Sequence, residues 1–80
     1  MVNVRDMDHE TDNVLARRMA DLAISQATMA KLIGKSAAIV SQWVTGNKRI
    51  SAESAYAIER ATEGRITRME LRPDIFGPLQ

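Results

Sequence analysis

The chain has 80 residues, no cysteine, and 11 Lys and Arg against 10 Asp and Glu, a formal net charge of +1. That length holds one small core, the missing thiols exclude a disulfide framework and a thiolate metal site, and a hydrophobic fraction of 45% is too high for a disordered chain. The first residues are polar and acidic and no apolar run approaches a membrane span, so neither a signal peptide nor a transmembrane segment is expected and the cytoplasm is the default compartment.

Residues 1–10 have no hydrophobic period and read as a flexible arm, with His9 at its edge. From Thr11, Leu15, Met19 and Leu22 fall at i, i+4 and i+7 with Arg17, Arg18 and Asp21 off the stripe, which predicts an amphipathic helix over about 12–23. Ser25 offers an N-cap to a second helix of about two turns. Met29, Ala30 and Ile33 mark its face, and Gly34 can take the left-handed conformation that ends it. Ser36 caps a third helix with Ile39, Val40, Trp43 and Val44 on one face, closed by Gly46 before the polar loop Asn47, Lys48 and Arg49. Ser51 caps a fourth, in which Ala55, Ile58, Ala61 and Tyr56 can face a core and which Gly64 stops. Thr67 and Glu70 have the spacing of a capping box for one last turn, ended by Pro73. No strand-like alternation of useful length and no repeat is present. The expectation is an all-α, five-helix domain over 11–76, preceded by the arm and followed by a short tail over 77–80.

The near-zero net charge hides a segregation. Residues 1–21 set three arginines against five acids, a net of −2, and residues 53–80 set four against five, a net of −1. Between Asp21 and Glu53 there is no acid at all, and Lys31, Lys35, Lys48 and Arg49 give that stretch +4. A local positive field of this kind raises the encounter rate with a polyanion.

Two short helices joined by three or four residues that include a glycine describe a helix-turn-helix. Ala30, four residues before Gly34, lies where the helices cross, so that Val40 and Trp43 can close over it and the third helix can protrude. The outward face of that helix is small and polar: Ser36, Ala37, Ala38, Ser41, Gln42 and Thr45. It is slim enough for a major groove, where Gln42 can pair bidentately with adenine, Ser41 can bond several bases, and the methyls of Ala37 and Ala38 can meet thymine methyls. The same residues also suit an ordinary solvent-facing helix.

The run Ile24, Ser25, Gln26, Ala27, Thr28, Met29, Ala30, through Ile33 and Gly34 to Val40, Ser41, Gln42, Trp43 and Gly46, resembles the helix-turn-helix of the Cro and repressor class of bacterial and phage regulators. Further on, Ala57, Ile58, Glu59, Arg60, Ala61 and Thr62, with Leu71, Arg72, Pro73 and Asp74, resemble the tail of the prophage YdaS-like subfamily, which often carries the label antitoxin. The two parts cover about 11–76. Lys35 departs from the pattern, since many relatives place an apolar residue there; it adds a cation near the DNA side. The resemblance implies a lambda-repressor-like fold in which Ala37, Ala38, Ser41 and Gln42 face bases. It also implies that Gln26 and Ser36 bond phosphates at helix starts and that Asn47, Lys48 and Arg49 hold the backbone beyond. Lys35 and Thr45 complete the phosphate-side set. Helix N-termini and a basic loop are placed as phosphate contacts require.

On this reading the protein is a DNA-binding regulator, most simply a Cro-like repressor of a palindromic operator, acting as a monomer or a weak dimer that pairs on DNA. The alternative is an antitoxin-type module that neutralises a partner toxin, and an activator fits the same residues. No enzyme, cofactor or metal is expected: His9 has no second histidine to complete a zinc pair, and no nucleophile, phosphate loop or carboxylate pair can be assembled. Trp43 suits the core better than a base stack. Arg60, Arg65, Arg68 and Arg72 are interleaved with acids and suit surface pairing better than DNA contact. Ile75, Phe76 and Leu79 around Pro78 can fold back on the first helix or meet another subunit.

Overall fold

The computed structural model describes residues 13–77. The expected arm over 1–10 with His9, and Pro78 and Leu79 of the expected tail, lie outside the described residues. The described chain is all-helical, with no strand. Its six helices are α1 (Val14–Asp21), α2 (Gln26–Ile33), α3 (Ala37–Val44), α4 (Ala52–Ala61), α5 (Arg68–Leu71) and α6 (Pro73–Phe76).

Side-chain caps set where the first five begin. Asn13 Oδ1 accepts from the Ala16 N–H at 2.9 Å, and the hydroxyls of Ser25, Ser36 and Ser51 accept from Thr28, Ile39 and Ser54 at 3.1, 3.2 and 3.1 Å. Thr67 accepts from the Glu70 N–H while the Glu70 carboxylate accepts from the Thr67 N–H at 2.8 Å, a complete capping box.

Three ends differ from expectation. α1 stops at Asp21, because Ala23 turns left-handed at φ 57 and lets Ala23 and Ile24 bond back to the carbonyls of Ala20 and Met19. α4 closes in the same way on Glu63, at φ 56, one residue before Gly64. Pro73 does not end the helical chain: its fixed φ suits the first turn of a helix, so Arg72 makes the break and Pro73 opens α6, giving six helices rather than five.

The apolar faces converge on one core. Leu15 and Met19 of α1, Met29 and Ala30 of α2, Val40 and Trp43 of α3 and Ala55 and Ile58 of α4 are buried together with Ile50 and Ile66 from the loops. α2 packs against both α3 and α4, and α5 lies against α1 and α4. Of the late apolar residues expected to fold back on the first helix or meet another subunit, Ile75 stays exposed and Phe76 packs at the core edge, over the Arg68 guanidinium at 5.2 Å, while it is α5 that lies against α1.

Polar bonds tie distant parts together. Asn13 Nδ2 donates to the Trp43 carbonyl at 2.9 Å, fixing the start of α1 to the end of α3. Arg18 of α1 donates to the Arg65 carbonyl at 2.7 Å and pairs with Glu70 at 3.4 Å. Buried Thr62 donates to the Ile58 carbonyl and accepts from the Ile66 N–H, holding the turn that brings Ile66 into the core.

Candidate nucleic-acid interface

α2 and α3 are joined by Gly34, Lys35 and Ser36 alone. Gly34 sits at φ +71, where an L side chain would be strained, and this lets the Gly34 and Lys35 N–H groups return to the carbonyls of Lys31 and Ala30 at 3.3 and 2.9 Å. Ala30 is buried in the same cluster as Val40 and Trp43. Its methyl is the spacer between the helices, and a larger side chain there would displace α3.

With Val40 and Trp43 buried and Ile39 and Val44 packed at the core edge, the other side of α3 is left to solvent. Ala37, Ala38 and Gln42 are exposed on it and Ser41 is half-buried. The structure therefore brings the four candidate base-reading residues onto one face of one helix.

The candidate phosphate contacts flank that face. Gln26 is the first residue of α2, Lys35 and Ser36 precede α3, and Thr45, Asn47, Lys48 and Arg49 follow it, all exposed. The Ser36 hydroxyl uses a lone pair to cap α3, which leaves its hydrogen available to donate outward. The Thr45 hydroxyl hydrogen is engaged inside the helix, donating to the Ser41 carbonyl at 2.9 Å. The Lys48 N–H donates to the Gln42 carbonyl at 3.1 Å and curls the loop back against α3. Among the described residues no ion pair engages Lys31, Lys35 or Lys48, whereas Arg49 reaches Asp74 at 4.0 Å, the outer limit of an ion pair.

The α3–α4 loop is held by the junction of α5 and α6. Arg72 Nη1 donates to the Ile50 carbonyl at 2.6 Å, and its Nε and Nη2 donate to the two Asp74 oxygens at 2.9 and 2.7 Å. The Arg72 hydrogen bonds lower the Asp74 carboxyl from 3.8 to about 2, with charge attraction from Arg72 and then Arg49 adding to the effect. Sequence reasoning placed Arg72 and Asp74 in surface pairing and missed that the pair fastens the basic loop; the Leu-Arg-Pro-Asp run itself was the available signal. Asn13 was missed too, its only mark being a cap residue type before an apolar period. Among the described residues no group of three or more His, Cys, Asp or Glu comes together, and no helix is long and apolar enough to cross a membrane.

A protein of Escherichia coli (strain K12) described as "Putative transcriptional regulator YdaS" is 50% identical over 50 residues, covering 62% of this chain and 51% of that protein. The chain thus spans about half the length of that relative. No solved structure matches it. Residues 16–80 match the family described as "Bacterial toxin YdaS", a description that names a toxin where the sequence resemblance had suggested an antitoxin label. Since that match takes in most of α1, the turn at Gly34, the whole of α3, the basic loop and the Arg72–Asp74 fastening, the chain belongs to the bacterial toxin YdaS family.

Proposed function

We propose that this protein is a sequence-specific, double-stranded-DNA-binding transcriptional regulator that acts by binding rather than by catalysis. On this reading the helices form a Cro/repressor-type domain and α3 enters the major groove. Gln42, Ser41, Ala37 and Ala38 meet base edges, and Gln26, Lys35, Ser36, Asn47, Lys48 and Arg49 meet the backbone, whereas Thr45, whose N–H and hydroxyl both donate to the Ser41 carbonyl, leaves the phosphate-side set. The observation that carries it is the small, exposed polar face of α3, flanked by cations within a stretch free of Asp and Glu from residue 22 to 52. The printed description of the Escherichia coli relative as a transcriptional regulator supports the same reading. Two copies at half-sites about one helical turn apart would recognise a palindrome and repress by occupying a promoter. Lodging at promoters beyond its own operator would stop transcription there, which accommodates the family's description as a toxin.

Selection of randomised duplex DNA by the purified protein, at low and near-physiological salt, tests this reading. A palindromic motif that survives the higher salt is the expected result. Retention only at low salt, without a motif, would mean that the cationic stretch merely attracts phosphate.

A further inference from the structure

Away from the α3 face, the outer sides of α2 and α4 border a shallow, open groove of about 470 Å³. Its walls carry Leu32 and Tyr56, which are 49% and 44% exposed and so leave large apolar surface in water. Along α4 the lining residues Glu53, Tyr56, Ala57 and Arg60 fall at i, i+3, i+4 and i+7, a single stripe of the helix.

The chemistry of that stripe is complementary to itself. About the midpoint between Tyr56 and Ala57, a carboxylate at Glu53 stands opposite a guanidinium at Arg60, and a ring stands opposite a methyl group. A twofold axis through the midpoint lays the α4 of a second copy antiparallel to the first. Glu53 then meets the second copy's Arg60, Tyr56 meets its Ala57, and each contact is made twice. The small Ala57 lets the two helices approach closely. Glu53 and Arg60 stand about 10 Å apart along the axis, too far to pair with each other within one helix. Among the described residues Glu53 makes no ion pair, and Arg60 stacks over Tyr56 at 5.7 Å instead of meeting a carboxylate.

We propose that the α2–α4 groove is a self-association surface whose occupant is a second copy of this chain, seated antiparallel through α4. A ten-residue helix is about 15 Å long, so the buried area falls short of the roughly 800 Å² per partner of a standard stable interface. The association is therefore weak and concentration-dependent. It deepens the dimer part of the proposed function, but it is measured without DNA, so its failure would leave the DNA reading standing.

Sedimentation equilibrium of the full chain across the micromolar to millimolar range is the test. A reversible monomer–dimer equilibrium is expected. Glu53→Arg and Arg60→Glu each set like charges face to face twice and should weaken the dimer roughly tenfold or more. The double variant E53R/R60E should return it to within about threefold of the parent, since the charges are exchanged rather than lost. Both substitutions reverse charges that suit their ends of α4, so Leu32→Lys, on an exposed position of α2, serves as an independent disruption. A full chain that stays monomeric throughout overturns the proposal, as does a dimer indifferent to all three single variants, or a double variant as weak as the singles. Tyr56 ring and Leu32 methyl NMR signals that shift with concentration support it. Burial of those groups at every concentration would mean that the chain's own residues outside 13–77 cover the groove, and would overturn it.

Discussion

Two residues without a glycine's freedom hold left-handed backbone: Ala23 at φ 57 and Glu63 at φ 56. Each closes a helix by the pair of return bonds that Gly34 makes at the end of α2, and each carries a Cβ that crowds the neighbouring carbonyl at a cost of about 1–2 kcal/mol. Both are exposed, so replacing them sacrifices no packing. Glycine also widens the unfolded ensemble, which offsets part of the relief. Ala23→Gly and Glu63→Gly should each stabilise the fold by a net of about 0.5–1 kcal/mol, raising the thermal midpoint by a few degrees in a domain of this size; Gly34→Ala should lower it. Asp74 supplies a second test at this scale. Its folded pKa lies near 2 rather than 3.8 because Arg72 donates to both of its oxygens. As pH falls below 3.8 the unfolded chain takes up the proton first, so the Asp74 contribution, whole above that value, declines until the folded carboxyl titrates near 2 and is absent below it. A carboxyl NMR titration should find that low midpoint, and Arg72→Gln should return it toward 3.8.

At the scale of elements, α5 and α6 work as a fastening for the α3–α4 loop. Leu71 packs at the core edge, Phe76 stacks on Arg68, and between them Arg72 is placed to hold the Ile50 carbonyl, 22 positions earlier in the chain. Arg72→Gln should leave α2, α3 and α4 intact and speed amide hydrogen exchange at Lys48, Arg49 and Ile50. If the proposed function holds, it should also weaken DNA binding, because an Asp74 carboxylate released from Arg72 stands within reach of the Arg49 guanidinium. Unchanged exchange in the loop would remove the fastening role. None of this linkage has a sequence period, which is why Arg72 and Asp74 read only as a surface pair. The caps on Ser25, Ser36, Ser51 and Thr67 were legible because a cap is a bond across three residues. The ends at Ala23 and Glu63 were not, since a left-handed residue other than glycine has no local signature. Pro73 was ambiguous in principle: proline both stops a helix and opens one, and the packing of Phe76 beyond it decides in favour of opening.

Across the whole molecule, the face of α3 was legible because burial of Val40 and Trp43 by a 3.6-residue period dictates what remains outside. What the period does not carry is how each flanking polar group is already spent: the Thr45 hydroxyl donates within the helix and Arg49 lies at the edge of an acidic pair, whereas Lys35 and Lys48 meet no carboxylate among the described residues. That difference ranks the cations. If the proposed function holds, Lys48 contributes a phosphate contact that is blind to sequence, and Lys48→Ala should weaken binding to every duplex alike and reduce the salt slope by about one. Gln42 is exposed in mid-helix on the face that points away from the core, and its amide can donate to and accept from one adenine edge. Gln42→Ala should cost about 1–3 kcal/mol at a single base position and leave the salt slope as it was. Titrations of matched and single-mismatch duplexes at several salt concentrations separate the two effects. A Gln42→Ala protein with an unchanged base preference, or a Lys48→Ala protein with an unchanged salt slope, would move the contact surface off the α3 face and its loop.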